Sequence, residues 1–118
     1  MPIPTPTASC IASVHAHGTA LVVSLRGEID VATAPAVTAY LDTLTHTHAA
    51  ELLIDLRQVV FIDGAGVRLL NRARTSGQGR LRLICTRPII LRLLRHPSLH
   101  LHFDILDSLP PPPPRTAS

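Results

Sequence analysis

Residues 51–77 read E-L-L-I-D-L-R-Q-V-V-F-I-D-G-A-G-V-R-L-L-N-R-A-R-T-S-G, and the reading of this stretch decides the fold. Leu52, Leu53, Ile54 and Leu56 form a short apolar run interrupted by Asp55, the pattern of a strand covered on both faces. A second apolar run, Val59 to Ile62, follows, and Asp63-Gly64-Ala65-Gly66 opens a helix. Within that helix Val67, Leu70 and Ala73, with Leu69 beside them, make an inward stripe, while Arg68, Arg72 and Thr75 face outward. Gly77 and Gly79 end it. Asp63 is the natural N-cap, because its carboxylate accepts a hydrogen bond from an orphan amide of the first turn. The glycines allow a tight turn and close backbone approach. A helix start of this kind exposes free N–H groups and a partial positive charge, which suits an anion or a partner's polar group.

The segment resembles the signature of STAS domains, the family of bacterial anti-sigma factor antagonists, in which D-L-S-x-V-x-x-[IM]-D-S-[ST]-G-L leads from a strand into a helix. Asp55-Leu56, Val59, Ile62-Asp63, Gly66 and Val67 carry the likeness. Gly64 and Ala65 depart from it, standing where the family has Ser and Ser/Thr, and Ala65 occupies the place of the phosphorylated hydroxyl. Upstream, Gly27-Glu28-Ile29-Asp30 matches the family's G-E-[IL]-D element, and Val31-Ala32-Thr33-Ala34-Pro35 continues the match. Four residues alone carry little weight; ahead of a matching D-L…I-D-x-x-G they become specific. The resemblance covers residues 10–108.

Outward from this centre the chain falls into order. Residues 1–9, proline-rich at their start, read as a flexible leader. Cys10 to His17 and Thr19 to Arg26 are two strand-like runs around Gly18, a β-hairpin pattern, and Gly27-Glu28-Ile29-Asp30 then leaves the strand. Thr33 is a plausible cap and Pro35 suits a first helical turn. Val37, Tyr40, Leu41 and Leu44 follow at i, i+3, i+4 and i+7, the amphipathic helix template. Arg80 to Cys85 is a further strand, and Thr86 and Pro88 start a helix that offers Ile89, Ile90, Leu93 and Leu94 to the core before His96-Pro97 stops it. Leu99, Leu101 and Phe103 alternate with polar residues as a last strand or extended segment. Family members finish with a helix, and Asp107-Ser108-Leu109 supplies its start. Consecutive prolines follow from Pro110, each costing on the order of 3 kcal/mol inside a helix. The expected fold is α/β: a STAS-like mixed central sheet of about four to five strands with three helices segregated to one side, the final family helix missing or truncated. Residues 109–118 form a proline-rich, polyproline-like tail, whose part from Pro110 is expected to pack against nothing.

At 118 residues a single domain is expected, and 46% hydrophobic with 16% charged residues supports a packed core. With two Phe, one Tyr and no Trp, that core must be aliphatic. The net charge is +3 and every basic residue is Arg, but the arginines are scattered and no aromatic platform accompanies them, which argues against nucleic acid. The first ten residues lack the basic and apolar regions of a signal peptide. No stretch approaches the roughly 20 apolar residues of a membrane span, so a cytoplasmic protein without membrane insertion is expected. Cys10 and Cys85, each in an expected strand, have no metal spacing and read as small buried hydrophobes.

Little in the chain points to chemistry. The pairs His15/His17, His46/His48 and His100/His102 place two imidazoles on one face wherever the backbone is extended, yet a metal needs three or four convergent ligands. Solvent-facing positions explain them as well. Gly64-Ala65-Gly66 opens like a dinucleotide fingerprint, but Leu69 stands where its last glycine belongs. The absence of Lys excludes a P-loop, and no Gly-x-Ser-x-Gly elbow exists. Neither an enzyme nor a cofactor is expected.

What the resemblance implies is a regulatory protein-binding domain. Its partner would be an anti-sigma factor that is itself an ATP-dependent serine kinase, docked at Asp30, Asp63, Gly64, Ala65, Gly66 and Arg68. Asp30 and Asp63 are also explained as helix-capping or loop aspartates, and Arg68 and Arg72 as a solvated helix face. The usual phosphorylation site has no hydroxyl here. A degenerate STAS scaffold that binds other STAS proteins, or a STAS component of a transport system, is the alternative.

Overall fold

The computed structural model describes residues 3–44, 47, 49–76 and 80–111. The hairpin forms about Gly18, whose φ of 62° lies in the left-handed region open to glycine, and joins β1 (Ile11–His17) antiparallel to β2 (Ala20–Ile29). Strand β3 (Glu51–Ile62) lies parallel to β2, β4 (Arg80–Ile84) parallel to β3, and β5 (Ile105–Leu106) parallel to β4. The mixed sheet thus runs β1-β2-β3-β4-β5. Parallel neighbours need crossovers, and α1 (Ala34–Leu44), α2 (Gly64–Ser76) and α3 (Pro88–Leu94) lie in those connections. The three helices pack on one face, as the sequence implies. Among the described residues no helix follows β5.

Alternation along β2 and β3 divides their side chains between two apolar layers. Leu21, Val23, Leu25, Ile54 and Leu56 join Val37, Leu41, Val67, Leu70 and Leu94 in the main core beneath the helices. Ala20, Val22 and Leu53 point to the opposite face, where Leu106 and Leu109 cover them. The inward stripes of α1 and α2 are those the periodicity gives, with Val37, Tyr40, Leu41, Leu44, Val67, Leu69 and Leu70 all buried.

Several expectations are corrected. The two apolar runs of 52–62 are one strand, and β2 continues through Gly27 instead of ending there. Gly27 takes φ 75°, and register shifts between Ser24 and Arg26 and between Gly27 and Glu28 absorb the irregularity as bulges. Ile89 is 71% exposed, because the short α3 turns only Ile90 and Leu94 fully inward. The segment 97–104 is not a strand. Pro97–Leu99 form a 3-10 turn, His100 adopts a left-handed conformation at φ 51°, and pairing resumes only at Ile105. Cys10 and Cys85 flank β1 and β4 and do not lie within them, though both are buried.

Both ends of the described chain are tied down. Ile3 and Ala8 lie against the main core, and Tyr40 Oη donates to Pro4 O at 2.6 Å. At the other end Leu109 covers the helix-free face, and His17 Nε2 donates to Pro110 O at 2.6 Å, so Pro110 does pack. The segment after β5 therefore crosses the sheet from one edge strand to the other.

Candidate functional site

The two sequence elements that carry the resemblance end side by side. Gly27 stands opposite Val59, Glu28 opposite Phe61 and Ile29 opposite Ile62, so G-E-I-D and I-D-G-A-G leave the sheet at the same end. Strand β4 stops opposite Asp55, leaving the last part of β3 with a neighbouring strand on one side only.

Each aspartate fixes the backbone at the entry to a helix. Asp30 Oδ1 accepts from the amides of Ala32 at 3.0 Å and Thr33 at 3.1 Å, and Asp30 O accepts from Ala34 N at 2.8 Å. The Asp30 carboxylate thus closes the turn that leads into α1, and the Thr33 side chain, expected as the cap, bonds no helix amide: its hydroxyl donates to Glu28 O at 2.9 Å and accepts from Asp30 N. Asp63 Oδ1 accepts from Ala65 N at 2.9 Å and Gly66 N at 3.2 Å, as expected of an N-cap. Its Oδ2 accepts from Val31 N at 3.3 Å. One carboxylate thus starts α2 and ties the β2–α1 loop to it. The same bonds correct the expectation of free amides for an anion, because Ala65 N, Gly66 N and Val67 N are all satisfied by Asp63.

Gly66 sets how closely α2 approaches the sheet. A Cβ there would meet Ile29 O at 2.7 Å and Ile62 Cγ2 at 2.8 Å, so no other residue fits unless the backbone moves. Gly64 is different: it is exposed, and a Cβ would meet only Arg68 Nη1, at 3.5 Å. Ala65 is half-buried and lines a shallow groove of about 530 Å³ between α1 and α2, with Val31, Pro35, Ala39, Arg68 and Leu69. Arg72 Nη2 reaches across the groove's rim to Asp42 Oδ2 at 3.1 Å. All six positions named from sequence, Asp30, Asp63, Gly64, Ala65, Gly66 and Arg68, come to this one end of the molecule.

Sequence reasoning missed two features. Val31, Val60 and Phe61 are 73%, 53% and 48% exposed and border this end, although Val60 and Phe61 sit in an apolar run that reads as buried. No periodic signal marks them, because Val59 to Ile62 are all apolar; the register shift that leaves Val60 without a partner accompanies their outward turn. The second is Arg57, which stands where the signature has Ser after Asp-Leu and is a further departure from it. Its guanidinium grips Asp55 with Nε at 3.0 Å from Oδ1 and Nη2 at 2.7 Å from Oδ2, and its amide donates to Oδ1 at 3.0 Å. Burial by itself would raise the Asp55 carboxyl, but the hydrogen bonds from Arg57 outweigh it and hold the group below the usual carboxylate range.

His15 and His17 lie on β1, His100 and His102 lie outside any strand, and His46 and His48 fall outside the described residues, as do Gly77 and Gly79. Among the described residues no three His, Cys, Asp or Glu side chains converge to hold a metal. Burial pushes the Cys10 and Cys85 thiols up, consistent with packing.

A family model described as "STAS domain" matches residues 12–109. No curated protein matches the chain by sequence. Among solved structures it is similar to an anti-sigma factor antagonist from Mycobacterium paratuberculosis, at 26% identity and a TM-score of 0.75 over 82% of this chain and 85% of that one. It is similar also to the anti-sigma factor antagonist SpoIIAA in its unphosphorylated form, at 19% identity and a TM-score of 0.61 over 82% and 88% of the two chains. The phosphorylated form of SpoIIAA, from Bacillus, aligns at 19% identity and a TM-score of 0.57 over 80% and 89%.

Proposed function

This chain belongs to the STAS domain family, and from that premise we propose that it is a non-enzymatic regulatory domain that binds a protein partner as anti-sigma factor antagonists do. The observation that carries the reading is the Asp63 carboxylate, which joins α2 to a loop 32 residues away and so builds one surface from both motif segments. The docking surface we infer comprises Asp30, Asp63, Gly64, Ala65, Gly66 and Arg68, with the buried Gly66 supporting it from beneath, flanked by the exposed Val31 and Phe61. Exposed apolar residues next to a charged rim fit a protein interface better than a small-molecule site. The partner we infer is a cytoplasmic anti-sigma factor of the ATP-dependent serine kinase type. The domain we infer is residues 10–108, with 1–9 as leader and 109–118 as tail, of which Ile3, Ala8 and Leu109 pack against it. Among the described residues no helix is long and apolar enough to cross a membrane.

The usual switch of such a circuit is absent by our reading. Phosphoryl transfer requires an acceptor oxygen aligned with the γ-phosphate, and Ala65 offers a methyl group. Thr75 lies ten residues further along α2, roughly 15 Å away at 1.5 Å per residue, and cannot substitute in the same pose. The chain would then bind its partner constitutively. Capture on the immobilised chain, followed by mass spectrometry, tests the partner class. A kinase-like ATPase whose retention is lost in Asp63→Ala supports the reading. Capture of other STAS proteins or of a permease overturns it in favour of a scaffold or transport role. With the captured kinase and ATP, the native chain should gain no phosphate in the 63–67 segment, whereas Ala65→Ser should gain one and release the kinase.

A further inference from the structure

We propose that the cleft beyond α3 binds a small amphiphilic anion: a carboxylate or phosphate monoester carrying a short alkyl or aryl body. The cleft has a volume of about 410 Å³, within the range of small-molecule sites. Every ionisable side chain in its wall is basic, namely Arg95, His96, His100 and His102, and no carboxylate lines it. The nearest acid in sequence, Asp104, is held instead by Arg80 at 2.6 Å. The rest of the lining is apolar and includes the buried Leu94 and the half-buried Phe103 and Ile105.

The polar groups of the wall, Arg95, His96, His100 and His102, are all solvent-exposed. His96 is occupied, its Nδ1 accepting from Ser98 N at 3.2 Å and bonded to Ser98 Oγ at 2.7 Å. Among the described residues the side chains of Arg95, His100 and His102 make no hydrogen bond or ion pair. Of the carbonyls ending α3, Leu91 O accepts from Arg95 N and Leu93 O from His96 N. His100 is the one described non-glycine residue at positive φ; it is the left-handed C-cap of the Pro97–Leu99 turn, its amide donating to Pro97 O at 3.2 Å, and this conformation holds its side chain in the wall of the cleft.

The chemistry narrows the ligand from both sides. A bare metal ion is excluded as occupant, since these imidazoles share a wall without converging on a point. An uncharged apolar molecule would gain only from the apolar part of the lining and leave the exposed Arg95 and imidazoles to water. An anion with an apolar body satisfies the guanidinium and imidazoles at one end and Phe103 and Leu94 at the other.

Titration of the full chain with sodium octanoate, octyl phosphate and octan-1-ol, followed by amide chemical shifts, tests the proposal. Expected are shifts confined to residues 93–106, with at least one anion binding about tenfold more tightly than the alcohol. Arg95→Gln combined with His100→Gly should lose that advantage while melting as the native chain does, because glycine suits the left-handed position. If that pair lowers the melting temperature, Arg95→Gln alone should still weaken the anion and spare the alcohol. The better of the two anions identifies the headgroup. Equal binding of octan-1-ol, shifts centred elsewhere, or no shift with millimolar anion would overturn the assignment.

Discussion

On one face of the sheet three helices bury Leu21, Val23, Leu25, Ile54, Leu56 and Leu83, and the aliphatic stripes of α1 and α2 interlock with them. On the other face Val22 and Leu53, each only 1% exposed, are covered by no helix at all. There the cover is Leu106, Leu109 and the His17–Pro110 hydrogen bond, with the Glu51–Arg82 ion pair beside them on β3 and β4. The difference shows how one sheet is closed by two means. A helix brings a preformed apolar stripe, whereas an irregular segment closes a face with a few side chains fixed at its ends. Burial per residue is thus similar at the centre of both faces, but the number of groups that secure it is not.

The largest expected effect lies on the helical side. Leu70→Ala removes a side chain 1% exposed at the centre of the main core and should cost roughly 2–5 kcal/mol in urea unfolding. A cost below about 1 kcal/mol would mean that the helix layer repacks freely, and the contrast with the other face would fail. Next comes Gly66→Ala, where the new methyl group meets a backbone oxygen at 2.7 Å. Overpacking of this kind should cost about 1–3 kcal/mol, and it should loosen the junction at Asp63 enough to weaken partner capture.

Asp55 shares the helix-free face with Leu53, two residues before it, and sharpens the comparison through pH. Its carboxyl is held below the usual range in the folded chain, so the stabilisation it gives is present above the unfolded value of about 3.9 and is lost as pH falls through the folded value. The native chain should lose more stability between neutral pH and pH ~3 than Arg57→Gln does, by about 1 kcal/mol. The Arg57 side chain is 41% exposed, which keeps the figure at the low end. Equal acid sensitivity in the two proteins would show that Arg57 does not set the carboxyl. The smallest effect belongs to the strap. Leu109→Ala should cost about 1 kcal/mol or less, because the side chain is only half-buried. A loss as large as that of Leu70→Ala would show instead that the strap holds the fold as firmly as a helix does.

Much of this architecture is legible in the chain because it is periodic. Val37, Tyr40, Leu41 and Leu44 announce a helix and its inner face, and each is buried. Val67, Leu69 and Leu70 do the same for α2, and Asp63 announces its cap. What escaped lacks such a repeat. Gly27 reads as an ending, yet its positive φ lets β2 pass through a bulge and continue to Ile29. The alternation of Leu99, Leu101 and Phe103 imitates a strand, but Pro97 and the left-handed His100 turn the chain before β5. Leu109 has no periodic context, so nothing local says that it covers Val22 and Leu53. Arg57 was visible as a departure from the signature, and only its grip on Asp55 gives that departure a role.

By itself the sequence determined the order of strands and helices, the faces α1 and α2 bury, and the lack of a hydroxyl at Ala65. These depend on a residue's identity and on neighbours within a few positions, where side-chain periodicity acts. The tertiary structure alone decided that Asp63 reaches Val31 and that Gly66 abuts Ile29 O. It also set His17 against Pro110 and gathered Arg95, His100 and His102 around one cleft. Such contacts join residues far apart in the chain or turned by irregular backbone. Their geometry follows from how the sheet and helices pack, which no local pattern encodes.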